Sequence, residues 1–101
     1  MFARHITTEV KKDKIEEALK IYEESVIPVG KTREGYRGIY LLANKETGKI
    51  VSISFWDSEE NAAANENSGY SPEQVEKFNG ILISPPIKEG FDVSIMLSKP
   101  R

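Results

Sequence analysis

Residues 49–64, KIVSISFWDSEENAAA, read as a β-strand over residues 50–56 that stops at Asp57 and continues into a helix. Successive side chains of a strand point to opposite faces of its sheet. One face here carries only large apolar groups, and the other carries small hydroxyls between two large apolar residues: Val51, Ile53 and Phe55 on the first, and Ile50, Ser52, Ser54 and Trp56 on the second. Because neither face is typical of a solvated surface, we predict a central strand that is covered on both sides.

The composition predicts a globular domain and excludes several classes of protein. The chain has 101 residues, a net charge of -2, no cysteine and charges of both signs throughout, which predicts one globular domain over residues 1–101. Without a basic stripe we expect no nucleic-acid partner. Without cysteine there is no disulfide, thiolate nucleophile or Cys-based metal site. No apolar run reaches the length of a membrane span, and no apolar leader is seen, so we expect a cytoplasmic protein that does not enter a membrane.

The region before the central strand predicts a strand and a helix. Residues 2–10 are rich in β-branched and aromatic types, as strands are. Asp13 is predicted as the N-cap of the first helix, with Glu16 completing a capping box. Pro28 should kink or end this helix near Val26 or Ile27. The buried stripe of the helix is predicted to contain Ile15, Ala18, Leu19, Tyr22 and Val26.

A hairpin is predicted next. Residues 36–43 form its first strand, and the polar loop 44–48 joins them to the central strand, with Gly48 in a left-handed conformation. Gly38 inside the strand indicates a bulge or a close approach of backbone or ligand. In regular alternation, Tyr36 and Tyr40 would share a face with Gly38 and Leu42.

The second helix is predicted in two pieces. Asp57 would cap the first piece, with Glu60 returning the capping bond, and residues 67–70 would interrupt it. Ser71 would then start a second piece that ends near Ser84. Its buried stripe is predicted to contain Val75, Phe78 and Leu82. Alternation over residues 89–98 predicts the last strand.

The element order is β-α-β-β-α-β, an α+β fold of the ferredoxin-like type with one antiparallel sheet. Both helices then cover one face of the sheet, and the other face is left with apolar content that must be buried. A homodimer with two sheets facing each other is the simplest arrangement that buries it.

The end of the central strand and the start of the helix after it resemble a known protein family. A strand ending in Phe55-Trp56, followed by Asp57-Ser58 and an acidic helix start, resembles the antibiotic-biosynthesis-monooxygenase-like domains of the dimeric α+β barrel superfamily. The start of strand two, Gly35-Tyr36-Arg37-Gly38, and Ile27-Pro28 support the resemblance. It implies a homodimer with one small pocket per subunit between sheet and helices. Some relatives oxygenate phenols or quinols without metal or flavin, others cleave haem or isomerise small metabolites, and fold alone does not choose among them.

Two aromatic side chains are the first site candidates. Trp56 is expected either as a pocket wall against a flat aromatic substrate or as core filling where strand meets helix. His5 is the single histidine, so any mechanism with an imidazole base must use it; the alternative is a structural or surface histidine.

Three further aromatic residues complete the predicted pocket. Tyr70 stands in the break of the second helix, where many relatives carry a histidine, and is expected to donate a proton to substrate or simply to pack its ring. Phe78 and Tyr40 are predicted to contact substrate, although core packing is the leading interpretation for Phe78.

Arg4 and Arg37 could bind an anionic group, or be solvated or salt-bridged at the surface.

The leading functional hypothesis is a cofactor-independent monooxygenase of a small aromatic or quinol, with His5 or Tyr70 handling the proton. The alternative is a non-catalytic ligand-binding or sensing dimer of the same fold. Haem degradation ranks lower, since the sequence has no histidine in the second helix to serve as an axial ligand. We expect no metal site and no cofactor, because the chain has neither a phosphate-binding loop nor an HExxH motif.

Overall fold

The computed structural model describes residues 1–69 and 78–97, and the side chains of all of these except residues 67–69. Tyr70, the predicted helix start at Ser71, and Val75 lie outside the described residues. Four strands form one antiparallel sheet in the order β2-β3-β1-β4, with bounds β1 Phe2–Glu9, β2 Tyr36–Asn44, β3 Lys49–Trp56 and β4 Ile87–Asp92. The ferredoxin-like arrangement predicted from the sequence is confirmed, with β3 and β1 at its centre.

The last strand differs from its prediction. β4 begins at Ile87 and ends at Asp92, whereas alternation placed a strand over residues 89–98. β4 pairs with β1, and β1 begins at Phe2, which lies opposite Asp92. Beyond Asp92 only one further backbone bond to this end of β1 is seen in the described residues, from the Val93 N–H to the Met1 carbonyl at 2.9 Å. The strand therefore ends where its partner ends.

The first helical region continues past Pro28. A 3-10 turn (Lys12–Lys14) leads into α1 (Ile15–Ile21), a π-helical turn (Tyr22–Val26) and α2 (Ile27–Gly30). Of the kink or end predicted near Val26 or Ile27, an end is wrong, and an irregular, π-helical turn lies directly before α2 instead. The π-helical turn lets the Ile27 N–H reach back to the Tyr22 carbonyl, so the extra residue is accommodated directly before the proline.

Both predicted N-caps are wrong. Asp13 lies inside the 3-10 turn, and no side chain caps that turn or α1. The helix α3 (Glu59–Gly69) is capped by Ser58, whose hydroxyl accepts the Asn61 N–H at 3.2 Å and donates to the Asn61 side-chain oxygen at 2.8 Å. Asp57 instead accepts a hydrogen bond from the Arg37 guanidinium. The helix also continues to Gly69, so residues 67–69, which were predicted to interrupt it, are helical.

The predicted bulge at Gly38 is confirmed and changes the faces of β2. The β2–β3 register shifts between Tyr36 and Gly38, and Gly38 has a φ of 150°, a conformation that favours glycine. Tyr36 therefore lies against Trp56 on the side of the helices, while Tyr40 lies on the opposite side beside Phe55. The prediction that the two tyrosines share a face is wrong, because the bulge interrupts the alternation between them.

The helices cover one side of the sheet, which we call the helical face. It buries two separate apolar clusters. The first cluster contains Val10, Ile15, Ala18, Tyr22, Ile50 and Ile81, and the second contains Phe2, Trp56 and Ala62. Because α3 contributes mainly alanine and polar residues, side chains do not fill all the space between the two clusters.

The other side of the sheet, which we call the open face, is not covered by any helix of the described residues. Large apolar side chains on it are exposed: Tyr40 by 63%, Leu42 by 52%, Ile87 by 60% and Phe91 by 50%. The strand registers place the following residues on this face: Ala3, His5, Thr7, Glu9, Gly38, Tyr40, Leu42, Asn44, Lys49, Val51, Ile53, Phe55, Ile87, Glu89 and Phe91.

Candidate functional site

Two adjoining cavities lie on the helical face, in the space between the two apolar clusters. The larger has a volume of about 430 Å³, within the range of small-molecule sites, and the smaller about 30 Å³, enough for one or two water molecules. Ile6, Val26 and Glu66 line both cavities. The two cavities therefore form one candidate site with a wide chamber and a narrow extension.

An ion pair lies at the junction of the cavities. Arg4 on β1 and Glu66 on α3 approach to 2.5 Å between Nε and Oε1, and their side chains are only 17% and 21% exposed. The Arg4 guanidinium also lies over the Phe2 ring, 5.2 Å from its centroid. A shielded carboxylate beside a fixed cation is the arrangement that can accept a proton from a bound ligand and then stabilise the ligand's negative charge.

Aromatic side chains form the floor of the large cavity. Tyr22 is buried and its ring packs on Phe78 with centroids 5.2 Å apart. Burial raises the pKa of the Tyr22 phenol above its usual value, and a hydrogen bond with the buried Thr8 hydroxyl pulls the pKa partly back. Tyr22 is therefore neutral at physiological pH and offers a flat ring and a polar hydroxyl rather than a charge.

The small cavity is bounded by Trp56 at the other end of the site. The indole is 2% exposed, donates its Nε1–H to the Ser54 hydroxyl at 3.0 Å, and meets the Tyr36 ring edge-on at 5.8 Å. Ser52 and Asn65 add polar groups to this cavity. Trp56 is thus a wall of the small cavity and also a member of the second apolar cluster, so the core interpretation holds, and its contact with a flat aromatic substrate stays a prediction.

The residues predicted from the sequence are placed on both sides of the sheet. Trp56 and Phe78 line the small and the large cavity respectively. His5 and Tyr40 lie on the open face, where His5 contacts the Phe91 ring at 6.2 Å. The Nδ1 atom of His5 is buried and neither accepts nor donates a hydrogen bond within the described part of the chain. Tyr70 lies outside the described residues.

Glu66 was missed by sequence reasoning, and Tyr22 was assigned to the core only. Glu66 stands four residues after the buried Ala62, a spacing that puts both on the sheet side of α3. That signal was available, but α3 is polar on every side, so the sequence alone does not mark the buried side. Arg4 was considered as an anion-binding residue, and the structure shows it paired with Glu66.

A metal centre finds no support from residue geometry in the described parts of the chain. Within residues 1–69 and 78–97, no three His, Asp or Glu side chains gather as metal ligands. In the same residues, no helix is both long enough and apolar enough to cross a membrane.

Comparison with solved structures finds the same fold in proteins of low sequence identity. A putative antibiotic biosynthesis monooxygenase from Nitrosomonas europaea is 14% identical with a TM-score of 0.79, over 94% of this chain and 100% of that one. One from Caulobacter crescentus is 17% identical with a TM-score of 0.79, over 93% and 90%. A conserved protein from Methanosarcina mazei is 16% identical with a TM-score of 0.75, over 90% and 91%.

Sequence comparison identifies the family. No curated protein matches the chain. The sequence model of the family described as antibiotic biosynthesis monooxygenase matches residues 1–78, which include β1 to β3, α3, and the Phe55-Trp56-Asp57-Ser58 motif. This chain therefore belongs to the antibiotic biosynthesis monooxygenase family.

Proposed function

We propose that this protein is a cofactor-independent oxygenase of a small phenol or quinol bound in the large cavity. The observation that carries the proposal is the ion pair between Arg4 and Glu66 at the junction of the cavities, next to a chamber with aromatic walls. In this proposal Glu66, which lines the site, takes the proton-transfer role predicted for His5, because His5 lies on the open face. The role predicted for Tyr70, which lies outside the described residues, stays a prediction.

In the proposed reaction the protein accepts a proton from the substrate and stabilises the substrate anion. A substrate hydroxyl gives its proton to Glu66, and the negative charge moves from the carboxylate to the substrate. Arg4 faces a single negative charge before and after this transfer, so the buried site gains no net charge. The electron-rich anion then passes an electron to dioxygen, and the superoxide formed combines with the substrate radical. Glu66 returns its proton to the resulting peroxide anion, which gives a hydroperoxide and restores the carboxylate.

The overall reaction is balanced by the substrate itself. For a substrate with an activated methylene group, loss of water from the hydroperoxide leaves a carbonyl, so the methylene group and dioxygen become a carbonyl group and water. One oxygen atom enters the product and the other leaves as water, together with the two hydrogens of the methylene. All the electrons come from the substrate, so the proposed reaction calls for no external reductant.

Oxygen uptake with purified protein tests this proposal. The substrates are a panel of hydroquinones and anthrones, and the variants are Glu66→Gln and, as a matched control on the exposed side of α3, Glu60→Gln. We expect turnover by the wild type and by Glu60→Gln, and a loss of about 10²–10⁴ in kcat for Glu66→Gln. No uptake with any substrate, or equal rates for Glu66→Gln and wild type, would overturn the proposal.

The same panel addresses the second candidate function. Ligand binding without oxygen uptake would favour a non-catalytic, ligand-sensing dimer. The observation in its favour is that His5 and Tyr40, two of the residues expected to act on substrate, lie on the open face, away from both cavities.

We also propose that a second copy of the chain covers the open face. Four large apolar side chains of this face, Tyr40, Leu42, Ile87 and Phe91, are each at least half exposed, and exposed apolar patches are typical of interaction surfaces. Leu42→Asp should weaken self-association in sedimentation experiments, whereas Ile83→Asp, an equally exposed aliphatic residue outside the sheet, should leave it unchanged. Monomeric wild-type protein at micromolar concentration would contradict this assembly.

A further inference from the structure

The large cavity has a closed floor and an open, polar mouth. Thr8 and Tyr22 are buried at the floor, while Asn79, Pro86 and Lys88 are exposed and define the opening. A ligand in this cavity is therefore desolvated at its inner end and stays in contact with water at its outer end. Charge on the ligand is tolerated far better at the mouth than at the floor.

The charged groups that line the cavity differ in sign and position. Lys88 on β4 lies opposite Ile6 in the strand register, on the helical face. Arg4, the partner of Glu66, is the next residue of β1 on that face, one alternate-residue step or about 7 Å further along the strand. The cavity thus presents an exposed cation at its mouth and a shielded carboxylate beside Arg4, at different positions along the strand direction.

The shielded position beside Arg4 and Glu66 favours a neutral hydrogen-bond donor over an anion. Arg4 is already paired with Glu66, so a charged ligand group would have to lose its water and displace a shielded carboxylate. A ligand hydroxyl needs only to donate to that carboxylate. At the mouth, Lys88 and the Asn79 amide can bind an anion that stays solvated, and Lys88 also makes an interaction within the chain.

We propose that the preferred ligand is an aromatic hydroxy acid, with the hydroxyl on Glu66 and a carboxylate at the opposite end of a fused ring system on Lys88. This substrate class rests on the proposed function, because it uses the same cavity. It adds a specificity-determining residue, Lys88, which takes no part in proton transfer.

Isothermal titration calorimetry with three probes tests the proposal: 6-hydroxy-2-naphthoate, its isomer 3-hydroxy-2-naphthoate with the two groups on neighbouring carbons, and neutral 2-naphthol. The variants are Lys88→Gln and the control Lys20→Gln, which removes an exposed charge from α1. We expect the wild type and Lys20→Gln to bind 6-hydroxy-2-naphthoate at least about fivefold more tightly than the other two probes. Lys88→Gln should lose that preference while binding 2-naphthol unchanged.

The possible failures are distinguishable. If 2-naphthol binds but 6-hydroxy-2-naphthoate binds no better, or if Lys88→Gln keeps the preference, the substrate class is wrong and the proposed oxygenase site stands. If the acids bind equally well, the two-ended geometry is wrong. If none of the probes binds, both this inference and the proposed phenol site are overturned.

Discussion

The shielded ion pair between Arg4 and Glu66 can be tested by a double-mutant cycle on stability. Replacing either partner by methionine leaves the other charge buried without its counter-charge. For fully buried pairs this costs about 3–5 kcal/mol, and since these side chains are about one-fifth exposed we expect about 2 kcal/mol for each single variant. The double variant replaces both groups by apolar ones and should cost about 1 kcal/mol, giving a coupling energy of about 3 kcal/mol.

The two single variants should differ slightly. In Glu66→Met the Arg4 guanidinium keeps its position over the Phe2 ring, 5.2 Å from the centroid, whereas Arg4→Met also loses this contact. A cation–π contact is worth about 0.5–1 kcal/mol, so Arg4→Met should be the more destabilising variant by that amount. Urea unfolding followed by circular dichroism measures each free energy of unfolding, and the midpoints of the single variants should fall by about 1–2 M.

The chain offers a matched control for this cycle. Lys45 and Glu16 form an ion pair at 2.9 Å, but their side chains are 71% and 76% exposed. The corresponding methionine cycle should give a coupling energy below about 1 kcal/mol. Equal coupling energies in the two cycles, or single variants of the shielded pair that cost less than about 0.5 kcal/mol, would refute the claim that the site holds a desolvated ion pair.

Three further predictions follow from local structure. Above about pH 10 the unfolded state loses a tyrosine proton that buried Tyr22 retains in the folded state. The free energy of unfolding of the wild type should therefore fall more steeply between about pH 8 and 10.5 than that of Tyr22→Phe, as measured by urea unfolding. Equal falls in the two proteins would contradict this prediction. Ser54→Ala should cost about 1–2 kcal/mol in the same assay by leaving the buried Trp56 N–H without its acceptor; no change would argue against that bond. Gly48→Ala should lower the free energy of unfolding by about 2–3 kcal/mol, because φ is 80° and a Cβ would lie 2.2 Å from the Val10 carbonyl oxygen. An unchanged free energy of unfolding would contradict this account of the turn.

Local signals in the sequence were enough to predict the first three strands closely and the order of the elements along the chain. Alternation in residues 50–56 and the Gly48 turn depend only on neighbours along the chain, and the bulge at Gly38 has its own residue signal. Predictions failed where a distant residue competes for a local group. Asp57 has a good capping side chain, but Arg37 from β2 binds it, and Ser58 caps the helix instead.

The candidate site was harder to predict because it depends on register and on unfilled space. Arg4 and Glu66 are far apart in sequence, and only the pairing of β1 with its neighbours and the docking of α3 bring them together. One bulge is enough to put Tyr36 beside Trp56 and Tyr40 on the opposite side of the sheet. A cavity between two apolar clusters leaves no pattern in the sequence, since it results from side chains on α3 that are too small to fill it.

The most direct test of the account is to locate a bound phenol on the protein. Amide chemical shifts of ¹⁵N-labelled protein titrated with 2-naphthol report which face of the sheet it contacts. We predict that the largest changes occur at Ile6, Val26 and Glu66, which line both cavities. Changes centred on His5 and Tyr40 instead would place the ligand on the open face and contradict a site between the sheet and the helices.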